Sequence, residues 1–487
     1  MSFPLFTVEQ VRQMDQQATA ATGITGFDLM RRAGQALFQQ LQQMVSKNDT
    51  VHIFCGAGNN AGDGYVLATL LIESGVNPRV YTLVDVSKLS GDGLRAYEKY
   101  NEVGELSTTL PAVLDSGVIV DALVGTGLSK PLTGAFLAAV ELINASELTV
   151  LSVDVPSGLN ANTGCASAGS VQADTTLSFI ALKRGLFTAD GVQHSGEVLL
   201  DDLSVDSQIL VNQTAEAQLL VFELMKKNLL PRAKNTHKGD FGHVLMLGGC
   251  CGYSGAIRMT GEAALRAGAG LVSVATRQEH AAFINIARPE LMCHGVNTSA
   301  ELFALAERCD LLAVGPGLGQ TPWSETLFEA TLELNKPMVL DADALNMLAK
   351  SPEKRDNWVL TPHPAEAARL LGCSTMDIQQ DRFAAIKQLQ QQYGGVVVLK
   401  GAGSLVNDGV VISVCTAGNP GMASAGMGDV LTGIIAALVA QKHPLSEATK
   451  LAVMIHALAG DRAAKNGEKG LLASDLMTSI RELVNDY

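Results

Sequence analysis

The chain has 487 residues, more than the roughly 250–300 residues that one hydrophobic core usually supports, so two domains are expected. Hydrophobic residues make up 47% of the sequence and charged residues 17%, a composition that excludes a disordered chain. The formal net charge of -14 and the lack of any Lys/Arg run argue against a nucleic-acid partner.

The eight cysteines are scattered without CxxC spacing, which indicates reduced thiols rather than a disulfide framework or a zinc site. The first residues lack a basic segment followed by an apolar one, and no apolar run approaches about 18 residues. We therefore expect a soluble, cytoplasmic protein without a membrane partner. The low charge and apolar composition favour a homo-oligomer.

Two amphipathic helices are predicted near the start, over residues 8–21 and 27–45. Short apolar runs then alternate with helical stretches, at residues 51–55, 79–84, 118–122, 148–153 and 176–180. This alternation is typical of a parallel sheet covered by helices on both faces.

A polar stretch over residues 206–226 separates this series from a second one. The second series is predicted from HVLMLGG, LVSVAT, LLAVGPG, MVLDAD, WVLTPH and VVVLKG, each ending in a loop rich in Gly, Pro, Asp or His. We expect two three-layer αβα domains, 1–212 and 213–487. Ligands of such sheets bind at the carboxyl ends of the strands, so the chemistry is expected in these loops.

The segment GNPGMASAGMGDVLTG, which starts at Gly418, predicts an anion site. Small residues around Gly426 and Gly428 precede an apolar helix, so unobstructed backbone N–H groups can converge on a phosphate. Asp429 follows the last glycine, where it can accept a proton from a substrate hydroxyl. The alternative is a glycine-rich turn in which Asp429 only caps the helix.

With YSGA, GPGLG, LDADALN, LTPHPAEAARLLG and LKGAGSLV, this half resembles the ADP/ATP-dependent NAD(P)H-hydrate dehydratases of the ribokinase-like superfamily, over residues 234–486. The resemblance implies Mg²⁺ and ADP, which phosphorylates the C6 hydroxyl of S-NAD(P)HX with Asp429 as base. Loss of phosphate then gives NAD(P)H, with AMP and phosphate as the other products.

The same resemblance implies a set of binding residues. Those for the hydrated substrate are Ala256, Gly317, His363 and Asp429. Those for ADP are Lys400, Gly401, Ala402, Gly403, Ser404, Asn419, Pro420, Gly421, Met422, Ala423, Ser424, Ala425, Gly426, Met427 and Gly428. Taken alone, the turns at Ala256 and Gly317 need no ligand, and a single histidine is more often structural than functional.

Three loops at predicted strand ends of the N-terminal half carry acids. In CGAGNNAGDGYVLA, the piece GAGNNA fits a loose dinucleotide pattern with Asp85 as the ribose acid, but the asparagines and Asp63 stay unexplained. DALVGTGLSKPLTG begins at Asp121, and SVDVPSGLNANTG contains Asp154. Ordinary strand–helix turns explain the glycines but not three acids at neighbouring strand ends, where we expect one site.

These loops resemble the NAD(P)HX epimerase family, whose domain is Rossmann-like, over residues 1–210. The resemblance implies K⁺ at Asn60, Asp121 and Ser157, and Asp154 as the proton-handling residue, with Lys183 nearby. It implies the substrate-binding residues Asn59, Asn60, Ala61, Gly62, Asp63, Gly125, Thr126, Gly127, Leu128, Ser129, Lys130, Pro131 and Asp154.

Two departures from the epimerase pattern stand out. Ala61 occupies a position where glycine is expected, and Ala would be strained there if the backbone needed a positive φ. Asn162 replaces the commoner Asp.

The favoured hypothesis is a fused enzyme that acts on NADHX and NADPHX with ADP, assembled as a tetramer by family resemblance. The main alternative is a ribokinase-like small-molecule kinase whose N-terminal half is a non-catalytic nucleotide-binding domain or sensor. An oxidoreductase that binds NAD through GAGNNA is a third possibility, but it leaves the C-terminal motifs unexplained.

Overall fold

The computed structural model describes residues 3–45, 49–127 and 130–487. The chain divides into two compact units, Pro4–Ala217 and Gln218–Tyr487, and Phe3 belongs to the second. Within the described ranges, no helix is long and apolar enough to span a bilayer.

Strands and helices alternate through residues 3–211. The strands are β1 (Phe3–Leu5), β2 (Val51–Cys55), β3 (Arg79–Thr82), β4 (Leu106–Ser107), β5 (Val118–Ala122), β6 (Thr149–Val153), β7 (Thr175–Phe179) and β8 (Glu197–Asp201). The helices are α1 (Val8–Thr22), α2 (Gly26–Met44), α3 (Asn59–Glu73), α4 (Gly91–Asn101), α5 (Ala135–Ala145), α6 (Gly191–His194) and α7 (Ser207–Val211).

The N-terminal unit contains a parallel sheet in the order β4-β3-β2-β5-β6-β7-β8. Successive residues of β2 belong to two different hydrophobic clusters: Ile53 and Cys55 pack in one, and Phe54 packs in the other. Both faces of the sheet are therefore covered, as the continuous apolar strands predict. The predicted runs 51–55 and 118–122 coincide with β2 and β5. The partly exposed edge strand β8 was missed because it lacks a continuous apolar run.

The C-terminal unit has the same alternation. Its strands are β9 (Ala217–Leu219), β10 (His243–Leu247), β11 (Leu271–Thr276), β12 (Met292–Gly295), β13 (Leu311–Val314), β14 (Met338–Leu340), β15 (Trp358–Leu360), β16 (Val396–Leu399), β17 (Ser404–Asn407) and β18 (Ile412–Cys415). Its helices are α8 (Phe222–Met225), α9 (Ser254–Arg266), α10 (Gln278–Ile284), α11 (Ser299–Ala306), α12 (Pro322–Glu333), α13 (Asp343–Lys350), α14 (Pro364–Leu371), α15 (Thr375–Gln380), α16 (Arg382–Tyr393), α17 (Met427–Ala440), α18 (Leu445–Ala463) and α19 (Leu476–Leu483).

The strands of this unit lie in the order β9-β18-β17-β16-β15-β14-β13-β10-β11-β12. Those from β16 to β12 are mutually parallel, and β17 and β18 extend the sheet in antiparallel pairing. Helix α17 is hydrophobic over most of its length and packs in the core against these strands. The loops that follow the parallel strands therefore meet at one edge of the sheet, where α17 begins.

Candidate active sites of the two units

The predicted anion site lies at the start of α17. Gly426 is the N-cap residue, with a left-handed backbone (φ 91°), and no side chain caps the helix. Asp429 is the third helical residue, so the alternative in which it serves as the N-cap is wrong. A Cβ atom on Gly428 would lie 3.2 Å from Nζ of Lys400, so glycine at this position lets the ammonium group approach the helix terminus closely.

Lys400 follows β16 and joins two carboxylates that sequence reasoning did not single out. Its Nζ donates a hydrogen bond to Oδ1 of Asp341 at 2.8 Å and lies 3.7 Å from Oε2 of Glu366. Oδ2 of Asp341 accepts a hydrogen bond from Thr432 of α17 at 2.9 Å. Burial by itself would lower the pKa of Lys400, but the charges of Asp341 and Glu366 raise it, so the lysine is cationic.

Asp429 is the carboxylic acid of this cluster that the lysine does not pair. Burial, and then the negative charge of Asp341, raise its pKa to about 7, although the charge of Lys400 acts in the opposite direction. Its carboxyl makes no hydrogen bond within the described part of the chain. A carboxyl group with a pKa near neutrality, next to a helix N-terminus, is suited to take a proton from a hydroxyl beside a bound phosphate.

His363 caps α14. Its Nδ1 accepts the backbone N–H of Ala365 at 3.1 Å, while the carboxylate of Glu366 accepts the N–H of His363 at 2.8 Å. Burial, and then the charge of Lys400, lower the pKa of His363. Because Nδ1 accepts, the proton of the neutral ring lies on Nε2, which is 3.3 Å from Oε1 of Glu366. Pro364 occupies the first helical position, where a missing N–H costs nothing.

The loop from Asn419 to Gly428 is tied down by a residue outside the predicted set. Asp461 of α18 accepts the N–H of Gly418 at 2.9 Å and Nδ2 of Asn419 at 2.8 Å. Within the described ranges, the buried Oγ of Ser424 has no hydrogen-bond partner, so it is free to donate to a phosphate. His456, also on α18, was not predicted either. It lies beside Met427 at the start of α17, and burial lowers its pKa to about 4.

Two further predicted residues, Gly401 for ADP and Gly317 for the hydrated substrate, follow β16 and β13. Gly401 has φ 138°, and a Cβ there would lie 2.8 Å from Nη1 of Arg382, a buried residue that donates to the carbonyl oxygen of Leu399. Gly317 has φ 58°, and a Cβ there would lie 3.2 Å from that of Ala256. The loops of Gly401 and Gly317 thus follow parallel strands of one sheet, with β15 and β14 between them.

A cavity of about 920 Å³ in the same unit is separate from this cluster. It is lined by Phe241 and Gly268, which precede β10 and β11, together with Arg232 and Arg266. It therefore lies at the amino ends of the strands, opposite the edge that carries Asp429.

In the N-terminal unit, Asn59 to Asp63 form the first turns of α3. Ala61 is helical, so the backbone strain considered for it does not arise. Asn60 is buried, and a Cβ on Gly125 would lie 2.8 Å from its Oδ1. Its Nδ2 has no partner among the described residues. A buried amide with an unpaired donor, closely packed against a glycine loop, is typical of a ligand site.

Asp121, at the end of β5, is fully buried in a hydrogen-bond network. Its carboxylate accepts Oγ and N of Ser157 at 2.6 and 2.8 Å, Oγ of Ser152 at 2.9 Å and N of Leu123 at 3.3 Å. Burial raises its pKa although these hydrogen bonds oppose the shift. Ser157 also contacts the backbone of Val124, next to Gly125, so Asp121 and Ser157 adjoin the loop that packs on Asn60.

Asp154 follows β6 with a left-handed backbone (φ 65°), which is strained for a non-glycine residue. Its Oδ1 accepts the N–H of Phe179 at 3.0 Å and a hydrogen bond from Lys183, whose side chain is only 1% exposed. Burial raises the pKa of Asp63 well above its usual range, and the nearby charges of Asp154 and Asp15 raise it further. The structure thus brings Asp63, Asp154 and Lys183 together, with Asp15 of α1 as a neighbour that the sequence did not indicate.

The other predicted epimerase residues are less enclosed. The carbonyl oxygen of Thr126 accepts a hydrogen bond from Arg12 at 3.2 Å, and Lys130 and Pro131 are exposed. Leu128 and Ser129 lie outside the described residues. Asp85 is exposed and caps a single 3₁₀ turn. Oδ1 of Asn162 accepts the N–H of Val8 at 2.8 Å, so Asn162 anchors the start of α1.

Two family profiles match the chain. The NAD(P)H-hydrate dehydratase profile matches residues 244–482, and that of the YjeF-related protein N-terminus matches residues 26–185. Part of the chain is similar in structure to a ribokinase-like superfamily protein from Enterococcus faecalis V583, with a TM-score of 0.53, 28% identity, and coverage of 56% of this chain and 98% of that chain.

Full-length relatives match both halves together. A protein of Coxiella burnetii named bifunctional NAD(P)H-hydrate repair enzyme Nnr is 44% identical over 99% of each chain. A protein of Escherichia coli K12 with the same name is 42% identical over 98% of this chain and 93% of the relative. These matches do not favour a small-molecule kinase with a non-catalytic N-terminal half. The chain belongs to the family of bifunctional NAD(P)H-hydrate repair enzymes, in which an epimerase domain precedes a dehydratase domain.

Proposed function

We propose that the C-terminal unit dehydrates S-NAD(P)HX with ADP as the phosphate donor and Asp429 as the base. The observation that carries this proposal is the unpaired carboxyl of Asp429 beside the N-terminus of α17, with its pKa raised to about 7 by burial and by Asp341. The backbone N–H groups before the helix and Oγ of Ser424 supply donors for phosphate. Lys400 supplies a fixed positive charge as negative charge moves between phosphoryl oxygens.

The C6 hydroxyl gives its proton to Asp429 while its oxygen attacks the β-phosphorus of ADP, and the bond between that phosphorus and the bridging oxygen breaks to release AMP. The lone pair of the ring nitrogen then expels phosphate from C6, and loss of a C5 proton restores the dihydropyridine. Phosphorylation is needed because hydroxide is a poor leaving group.

Mg²⁺ fits this site only as a companion of the nucleotide. Among the described residues, no group of three or more His, Cys, Asp or Glu side chains is arranged to hold a metal. Mg²⁺ usually binds through one or two carboxylates and substrate phosphates. Asp341 and Glu366 are the carboxylates that would contribute, and the ion would neutralise phosphate charge when bound.

We also propose that the N-terminal unit interconverts the R and S forms at C6, with Asp154 handling the proton. Inversion requires one bond to C6 to break and to form again on the opposite face. If the C6–O bond breaks, the hydroxyl takes up one proton and leaves as water, and one proton is taken from the water that adds. Asp154 is supported in this role by its strained backbone and by its ion pair with the buried Lys183.

The oxygen atoms of Asn60, Asp121 and Ser157 have the chemistry for K⁺, since hard cations take oxygen ligands. The unpaired Nδ2 of the buried Asn60 is a donor, so it fits an acceptor such as a phosphate oxygen of the substrate beside the ion. When bound, K⁺ would neutralise negative charge on the substrate's phosphates. Asp121 would be held for this role by its hydrogen bonds from Ser152 and Ser157.

The experiment that tests both activities is to incubate the protein with mixed NADHX epimers, ADP and Mg²⁺, and to follow the absorbance of NADH. Full recovery is expected, because the N-terminal unit converts the R form into the S form. Recovery that stops at the S fraction would exclude epimerisation, and no recovery would exclude both proposals. A stable phosphorylated product would instead indicate a kinase.

We also propose a position for the domain boundary and an oligomeric state. A functional boundary between residues 212 and 213 is supported by the compact units Pro4–Ala217 and Gln218–Tyr487. Limited proteolysis of the full chain should then cut near this position before it cuts elsewhere.

A homo-oligomer is supported by the low charged fraction of 17%, and a light-scattering mass of four chains would support the tetramer.

A further inference from the structure

Three loops that are linked by hydrogen bonds lie at the strand ends beside Gly317, which is predicted to bind the hydrated substrate. The carbonyl oxygen of Gly249, after β10, is contacted by Thr276 Oγ1 at 3.0 Å and by His280 Nδ1 at 2.8 Å. The N–H of Gly249 donates to the carbonyl oxygen of Pro316 at 3.1 Å. The loops after β10, β11 and β13 are therefore linked into one surface that continues from Gly317.

Arg277 is the charged residue of this surface. It follows β11 directly, and its guanidinium lies 5.4 Å from the ring centre of Trp323, at the start of α12. Trp323 is itself held by a 2.7 Å hydrogen bond from its indole N–H to the carbonyl oxygen of Val296, after β12. The aromatic ring thus fixes the position of the guanidinium at the carboxyl edge of the sheet.

The protein provides hydrogen-bond partners for only some of the N–H donors of this guanidinium. One terminal nitrogen lies 3.2 Å from Oε1 of Glu279, whose side chain is 58% exposed. Nε is buried and has no hydrogen-bond partner within the described ranges. The side chain as a whole is 27% exposed, so a ligand can reach its terminal nitrogens, which carry more N–H donors than Glu279 uses.

The order of the strands indicates which part of the substrate would reach Arg277. The predicted ADP segment that begins at Lys400 follows β16, and Gly317, which is predicted to bind the hydrated substrate, follows β13. Moving away from the ADP side, the next strands are β10 and β11. Arg277 is thus two strand spacings, roughly 10 Å, beyond the loop of Gly317. With ADP on one side of the reacting ring, the rest of a dinucleotide substrate extends to the other.

From these contacts we propose that Arg277, fixed by Trp323, forms a subsite for the ribose 2′-phosphate that distinguishes NADPHX from NADHX. The inference rests on the proposed dehydration of NAD(P)HX by this unit. A guanidinium forms paired hydrogen bonds with phosphate, which a ribose hydroxyl cannot replace. Glu279 competes for the guanidinium and so reduces the preference for the phosphorylated substrate.

The test compares kcat/KM for S-NADPHX and S-NADHX in the wild type and in Arg277→Gln. For Arg277→Gln, we expect kcat/KM for S-NADPHX to fall roughly 10- to 100-fold, as for loss of a hydrogen bond to a charged group, and that for S-NADHX to stay within about twofold. Glu279→Gln should raise the NADPHX/NADHX ratio. The matched control is Arg308→Gln, because Arg308 is an exposed arginine that precedes β13 and so lies at the opposite edge. Equal changes for the two substrates, or no change for either, would overturn the proposal.

A binding measurement separates this proposal from the proposed activity. With the nucleotide site saturated by ADP and Mg²⁺, calorimetry with 2′-AMP, 5′-AMP and inorganic phosphate should show tighter binding of 2′-AMP to the wild type, and loss of this difference in Arg277→Gln. Equal binding of 2′-AMP and 5′-AMP would reject the subsite even if dehydration is observed. A 2′-AMP preference that depends on Arg277 would support it even if the wild type released no NADH.

Discussion

The two proposed centres use similar side chains in different surroundings. In each, a lysine pairs one aspartate, Asp341 with Lys400 and Asp154 with Lys183, and a second carboxyl nearby has a raised pKa. That second carboxyl is Asp429 in the C-terminal unit and Asp63 in the N-terminal unit. In the C-terminal unit, the charge of Lys400 lowers the pKa of Asp341 against burial, while burial raises that of Asp429, which separates acid and base roles.

The difference lies in how accessible each lysine is. The Lys400 side chain is 20% exposed and lies near Glu366 as well, whereas that of Lys183 is 1% exposed and donates to Ser178 and Phe179. Lys400 is thus placed to meet an incoming phosphate, and Lys183 is committed to internal partners. The comparison indicates that the first lysine acts on the ligand directly, while the second orients Asp154.

The largest expected effect comes from Asp429→Asn. An amide cannot accept the hydroxyl proton, so dehydration should fall about 10²- to 10⁴-fold while R/S interconversion continues. The two rates are measured by NADH absorbance and by chromatography of the epimers. Asp356→Asn, at an exposed acid of the same unit, is the matched control and should leave both rates unchanged. Loss of both activities, or of neither, would contradict separate centres.

Removing each lysine tests the proposed difference in role. Lys183→Met leaves Asp154 without its ion-pair partner, so the free energy of unfolding of the N-terminal unit should fall by about 3–5 kcal/mol. Lys400→Met should lower stability less, because its site is more open, but should lower kcat/KM for dehydration more. Thermal and urea unfolding measure the first effect. The double variant Asp154→Asn/Lys183→Met should recover part of the lost stability, and failure to do so would contradict the pairing.

The pH dependence of dehydration should follow Asp429. Because its pKa is raised to about 7, the carboxylate that acts as base is lost as pH falls below that value. The rate constant should fall about tenfold per pH unit below pH 7 and level off above it. Asp341→Asn should move this limb to lower pH, since Asp341 raises the pKa of Asp429. If the limb stayed at the same pH, the pH dependence would belong to another group.

The raised pKa of Asp429 also affects the free energy of unfolding. A carboxyl whose pKa is raised by folding stabilises the protein below its unfolded pKa of about 4, and this contribution is lost as pH rises through about 7. The stability of Asp429→Asn relative to the wild type should therefore increase between pH 4 and 7. Chemical unfolding at several pH values measures the change, and a constant difference would contradict a raised pKa.

Ser157→Ala should give a smaller effect confined to the N-terminal unit. It removes the hydrogen bond from Ser157 Oγ to Oδ1 of Asp121 and leaves the N–H of Val124 without its partner, at a cost of about 1–3 kcal/mol. If Ser157 is a K⁺ ligand, the variant should also need more K⁺ for half-maximal epimerisation. The dependence of dehydration on K⁺ should not change. The control titration replaces K⁺ with Na⁺ at constant ionic strength, and an unchanged K⁺ requirement would remove Ser157 from the proposed ligand set.

The smallest expected effect is that of Ala61→Gly. Since Ala61 lies within α3 and not in a left-handed turn, glycine should destabilise the unit by about 0.5–1 kcal/mol and leave the epimerisation rate nearly unchanged. Thermal unfolding measures the difference. A stabilising effect would indicate that the alanine is strained.

The sequence by itself predicted the two α/β units, most of their central strands and the glycine-rich loop before α17, because apolar periodicity and small-residue segments are local signals. It did not predict Asp341, Glu366 and Asp461 as neighbours of that loop, nor Asp15 beside Asp63. These residues come from distant segments that meet only when the strands pair and the helices pack. The raised pKa of Asp429 and the unpaired donor of Arg277 were likewise decided by the tertiary structure, because both depend on burial and on charges remote in the chain.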